Sequence, residues 1–278
     1  MAALLSTTSA YADNAQTQVR AALTSGGDAA RLTIVTGGKQ AGVKLAVKDK
    51  SIELYNGDAV ATLEAGHGRV LVAVSVDAKK QPFQILTIAD GKVGKPIGLS
   101  RPNKRSDFPF AIAATATPDG FTVFFQEVEP DNANEAHTYM VELDKTGAVT
   151  EEAREIQVPW WLAAAAWNGK GYHLGLFYAG EANGTRLSMV SLTKEGSPEQ
   201  HPDWATQPGM LSEVHLVSAG GSIRAIYRGT GNRMYQTDVT KIGQWGQVSA
   251  KTKDLGALGK DQAIAITAKG AVTKIKAK

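Results

Sequence analysis

Apolar and polar positions alternate in short runs along most of the chain, and the runs break at glycine. Residues 108–147, FPFAIAATATPDGFTVFFQEVEPDNANEAHTYMVELDKTG, set the pattern. Residues 110–117 are apolar and small, which predicts a first strand. Pro118, Asp119 and Gly120 form a turn signal, with glycine expected to supply φ > 0. Residues 121–126 are rich in β-branched and aromatic side chains, the composition of a second strand. A polar loop over 127–136 follows, and 138–144 alternates as a half-buried strand does. Lys145, Thr146 and Gly147 turn the chain again into a fourth, more polar strand over 148–157.

The same layout recurs. Glycines of the first turn type stand at 68, 120, 171, 221 and 270, in steps of 52, 51, 50 and 49 residues by subtraction. Glycines of the second type stand at 42, 94, 147, 196 and 243, in steps of 52, 53, 49 and 47. Two interleaved series with one period are the mark of a repeat architecture. A four-stranded antiparallel unit of about 50 residues resembles a β-propeller blade. The resemblance implies an all-β, five-bladed β-propeller of four-stranded antiparallel blades. Its strands are called A to D from the axis outwards. Small side chains are expected beside the crowded axis, and the alanine-rich runs 59–65, 111–117, 162–166 and 263–268 fit strand A. Residues 214–219 are bulkier and fit it less well. Residues 31–48 read as C and D strands, and 262–278 as A and B, so one blade is expected to close between 31–49 and 261–278. Residues 31–278 then form a single domain.

The N-terminus adds a compartment. Residues 1–12, MAALLSTTSAYA, end in Ala10, Tyr11 and Ala12, a small-x-small cleavage pattern after an apolar run. They read as the remnant of a signal peptide, which predicts a periplasmic or secreted protein, with a cytoplasmic one as the alternative. Residues 13–30 read as a linker or one short helix around 16–23. Apolar residues make up 43% and charged residues 21%, ordinary globular values that argue against disorder. A net charge of +3 is too small to argue for nucleic acid without a clustered patch. The absence of cysteine removes thiol chemistry and cysteine-ligated metal sites. No apolar run reaches the roughly 18 residues of a membrane span. The expectation is a monomer outside any assembly.

Candidate chemistry is sparse. None of the five histidines forms HxH or HExxH, and no EF-hand, phosphate loop or nucleophile elbow is present. No cofactor or metal is therefore expected. In a propeller the D–A and B–C loops share one face, and here they are the longer and more varied set. Loops on a rigid scaffold carry function, so that face is the expected site. Its candidates for ligand binding are Phe108, Trp160, Trp161, Tyr178, Arg186, Arg228 and Arg233. A tryptophan could stack on a sugar, and the arginines could hold an anionic group. The weak catalytic candidates are Asp58, Asp107, Glu213 and Asp261, carboxylates at strand-A entries that could supply an acid and a base. The B–C loop after residue 126 adds Glu127. Turn lysines, Lys39, Lys92, Lys145, Lys170, Lys194, Lys241 and Lys269, crowd the opposite face.

The leading expectation from sequence is an exported, non-catalytic propeller that binds a protein partner or a glycan. The alternatives are a glycoside hydrolase or lyase using loop-face carboxylates, and a structural component of a cell-envelope assembly.

Overall fold

The computed structural model describes residues 16–23, 29–76, 82–101, 109–129, 132–158, 161–180, 184–199, 203–205, 213–219, 222–242, 248–259, 262–266 and 272–276. These form the expected five-bladed β-propeller. Blade 1 holds β1 (Gln16–Leu23), β2 (Ala29–Thr36), β3 (Gly42–Val47) and β4 (Lys50–Asn56). Blade 2 holds β5 (Ala59–Gly66), β6 (Arg69–Val76), β7 (Phe83–Ala89) and the short β8 (Lys92–Val93) and β9 (Ile97–Gly98). Blade 3 holds β10 (Pro109–Ala116), β11 (Gly120–Glu129), β12 (Asn132–Asp144) and β13 (Arg154–Ile156). Blade 4 holds β14 (Trp161–Trp167), β15 (Tyr172–Gly180), β16 (Gly184–Leu192) and β17 (Asp203–Ala205). Blade 5 holds β18 (Glu213–Ala219), β19 (Ser222–Arg228), β20 (Arg233–Ile242) and β21 (Val248–Ala257). Within each blade, consecutive main strands pair antiparallel.

The cores lie between blades, because each sheet buries both faces. Leu71, Phe83 and Ile85 of blade 2 meet Ile112, Phe121 and Phe125 of blade 3. The Phe83 and Phe125 rings sit 4.2 Å apart. Burying each such side chain contributes roughly 1.5–3 kcal/mol. Blades 3 and 4 meet through Phe124, Met140, Leu174 and Leu176, and Thr122 and Tyr172 join their hydroxyls across this boundary at 3.0 Å.

The repeating glycines have two physical reasons. Gly147 (φ 89) and Gly196 (φ 84) take left-handed turns that side-chain-bearing residues adopt at a cost. Gly120 and Gly171 serve close approach instead. A Cβ at Gly120 would stand 2.0 Å from the Leu143 carbonyl oxygen, and one at Gly171 2.2 Å from that of Leu192. The positive φ expected at Gly120 is thus replaced by tight contact between β11 and β12.

Closure differs from the sequence reading. Residues 16–23 are neither linker nor helix; they form β1, the inner strand of blade 1. The run 31–48 supplies the B and C strands of that blade, and β4 is its D strand. The C-terminal hairpin, β22 (Gln262–Ile266) and β23 (Val272–Lys276), adds to the free edge of β1. β22 runs parallel to β1, with Arg20 opposite Ile264 and Ala22 opposite Ile266. Ile264 and Leu258 also pack on Val217 and Ile226 of blade 5. The hairpin therefore fills the gap between blades 5 and 1 and covers an edge that would otherwise stay open. β1 lacks a clean apolar alternation because it borders the axis, where Arg20 is accommodated.

Candidate functional site

The inner strands β1, β5, β10, β14 and β18 wall a central cavity of about 280 Å³. Alanine is the commonest residue of its wall. Thr62, Ala113, Ala164 and His215 line it at steps of 51 residues, and so mark one level of the ring. Two residues further along the strands, a rise of roughly 6.6 Å, comes the level of Glu64, Thr115 and Ala166. Arg20 enters from β1 and donates from Nη1 to Thr62 Oγ1 at 3.3 Å. Against this bland wall three side chains carry chemistry: Arg20, Glu64 and His215.

Glu64 is half-buried and lines the cavity. Burial pushes its carboxyl up from 4.5 to about 8, although Oε1 accepts the Ala116 backbone N–H at 3.1 Å. At neutral pH it is a carboxylic acid. Glu213 behaves in the opposite way. It is 1% exposed at the start of β18. Burial alone would raise it; the hydrogen bond and charge of His215 and the guanidinium charges of Arg228 and Arg20 hold it down at about 2. Arg228 donates to Glu213 Oε2 from Nε at 3.0 Å and from Nη2 at 2.7 Å. His215 Nε2 lies 2.8 Å from Oε1. An ionised carboxylate only accepts, so His215 Nε2 carries the hydrogen. Burial lowers Arg20 from its usual value; the charge of Glu213 opposes this and that of Arg228 adds to it.

The residues singled out from sequence do not converge on one loop-face site. Asp58 is exposed and caps a turn, accepting the Gly37 N–H at 2.9 Å. Arg233 is exposed and pairs with Asp254 at 2.6 Å. Trp161 stands partly buried on β14, opposite Phe177. Tyr178 and Arg186 face each other in the β15–β16 ladder, and their side chains lie outside the described residues. Asp107, Phe108, Trp160 and Asp261 also lie outside the described residues. Glu127 is buried and paired with Arg101. Glu213 and Arg228 do come together, beside the cavity. Glu64 and Arg20 were not singled out from sequence. Among the described residues no three His, Asp or Glu side chains gather in a metal-ligating group. No helix there is long and apolar enough to cross a membrane.

No family model matches the chain, and no curated protein matches it either. Solved structures do. The GH43 protein BlXynB of Bacillus licheniformis aligns with a TM-score of 0.54 at 11% identity, over 76% of this chain and 47% of that one. An engineered GH43 glycoside hydrolase with endo-xylanase and exo-arabinofuranosidase activity aligns at 0.51 and 9%, over 76% of this chain and 46% of that one. This chain thus spans about half the length of those two proteins. A neuraminidase-like protein of A/little yellow-shouldered bat/Guatemala aligns at 0.51 and 12%, over 92% of this chain and 88% of that one. At these identities the likeness establishes the fold, and no residue role carries over. The expected non-catalytic binder is nonetheless overturned as the leading reading, since the glycoside hydrolase neighbours back the enzyme alternative.

Proposed function

We propose that the protein is a glycoside hydrolase whose chemistry lies in the central cavity. The observation that carries this reading is the divergent ionisation of two glutamates, one lining the cavity and one bonded to the His215 that lines it: Glu64 is pushed up to about 8 and Glu213 held down at about 2. Groups whose surroundings push them apart in this way divide acid and base roles. Glu64 is the proton donor to the glycosidic oxygen as the C–O bond breaks. His215, held through Nε2 by Glu213, offers Nδ1 to the attacking water and takes its proton. The water oxygen bonds to the anomeric carbon from the opposite side. The acid and base stand one level apart, roughly 6.6 Å along the strands. Attack by water from the face opposite the departing oxygen inverts the anomeric centre. A cavity of about 280 Å³ suits one sugar residue rather than a long segment, which favours attack at a chain end. The GH43 neighbours support the substrate class through their fold. Export, suggested by the cleavage pattern at residues 10–12, would put the protein where polysaccharides are met.

The test is a polysaccharide and aryl-glycoside turnover screen on the wild type, Glu64→Gln and His215→Ala, with product stereochemistry followed by NMR. Turnover that falls at least 100-fold in both variants is expected. Turnover that survives Glu64→Gln would overturn this assignment.

A further inference from the structure

Among the described residues, charge around the cavity does not balance. Glu213 gives both carboxylate oxygens away, one to Arg228 and one to His215. Arg228 completes its own bonding through Nη1 to Asn232 Oδ1 at 2.5 Å. Arg20 is 8% exposed, yet among the described residues its side chain hydrogen-bonds only the neutral Thr62 hydroxyl, at the long distance of 3.3 Å. Its Nε is buried with no hydrogen-bond partner among the described residues. Two guanidinium groups thus share one anionic carboxylate. The nearby carboxyl of Glu64 adds no negative charge while it keeps its proton. A buried cation with no anion of its own is strongly disfavoured, and so is an orphaned buried donor. A chain that keeps both at the wall of a cavity has a place for an anion.

We propose that Arg20 is the carboxylate-binding residue of the cavity, and that the sugar it selects is a uronate. The uronate part rests on the glycan-hydrolase reading; the carboxylate part does not. The guanidinium presents a planar fork suited to a carboxylate. Thr62 holds one arm of that fork by Nη1, and Arg20 lines the cavity that the ligand would enter. The alanines Ala113 and Ala164, at the level of Thr62, leave the space in which a sugar ring can stand. A neutral hexose would leave the cation unanswered and would be rejected for that reason.

The test is isothermal titration of galacturonate, glucuronate, galactose, glucose, acetate and sulfate into wild type, Arg20→Met and Thr62→Val. The uronates should bind at least 10-fold more tightly than the neutral hexoses. They should lose at least 10-fold in Arg20→Met and a smaller factor in Thr62→Val. Equal binding of uronate and neutral hexose would overturn the proposal without any variant. Acetate or sulfate binding as tightly as the uronates would make this a free-anion site and overturn the sugar assignment. Should Arg20→Met fail to fold, the wild-type comparison and Thr62→Val still decide. Uronate binding without any polysaccharide turnover would uphold the site and sink the hydrolase reading. Turnover of neutral glycans without uronate binding would do the reverse.

Discussion

Glu64 changes charge where most glutamates do not, and that makes the cavity sensitive to alkali. In the unfolded chain its carboxyl ionises near 4.5, and in the fold near 8. Between those values the unfolded state has released the proton and the folded state still holds it. Each rise in pH therefore favours unfolding. The contribution is fully present below 4.5 and is lost as pH climbs through 8. The interval is 8 minus 4.5, or 3.5 units. At about 1.4 kcal/mol per unit the full loss is about 5 kcal/mol. Glu64 faces the cavity, so water there screens part of the charge, and about 2 kcal/mol is the working figure. Glu64→Gln keeps the size, and its amide oxygen can still accept the Ala116 N–H, but it has no proton to lose. Urea unfolding of both proteins at about pH 5, 6.5, 8 and 9 isolates the effect, because all other titrations are common to the pair. The stability difference should shift by about 2 kcal/mol in favour of the Gln variant across that range. A difference flat to within about 0.5 kcal/mol would refute the reasoning. It would also remove the proton donor from the proposed hydrolysis.

Two further substitutions test the frame around the cavity. Gly120→Ala places a Cβ 2.0 Å from the Leu143 carbonyl, so β11 and β12 must part; a loss of about 3 kcal/mol, read as a drop of several degrees in Tm, is expected. An unchanged Tm would mean that the strands separate there at no cost. Glu213→Gln leaves Arg228 without its ionised partner and should destabilise by about 3 kcal/mol at pH 7. Glu213 has a depressed carboxyl, so its contribution holds above 4.5 and fades as pH falls toward 2. The penalty measured by urea unfolding should shrink at about pH 3, and a penalty equal at both pH values would show that Glu213 acts by shape and not by charge.

Blade number and the identity of four inner strands were legible in the sequence because they are periodic. Gly120 and Gly171 recur because the same strand-to-strand approach recurs. Strand β1 was not legible. QTQVRAAL has no apolar stripe, since one side of an inner strand borders a cavity where Arg20 is tolerated. The closure followed from the same gap: without β1, residues 31–48 were assigned one strand too far outwards. Glu213 and Arg228 were visible as polar residues at strand ends, but their pairing depends on the cross-strand register of β18 and β19.

The functional residues of the cavity stand out once the repeat is used as a ruler. Glu64 Oε1 accepts the Ala116 N–H, and Thr115 Oγ1 accepts the Trp167 N–H, each 52 residues further on. Glu64 and Thr115 therefore hold the same place in successive blades and do the same structural task, an oxygen offered to the next inner strand. A hydroxyl performs that task with no charge to desolvate. A carboxyl there costs free energy for burial, which is what raises it to about 8. The same comparison sets His215 against Thr62, Ala113 and Ala164, and again the exception is the titratable residue. Packing of the ring explains the alanines and threonines, and it leaves Glu64 and His215 over. A repeat protein shows its chemistry where one copy bears a cost that its siblings avoid. In this chain two such positions, together with the half-satisfied Arg20, face one cavity.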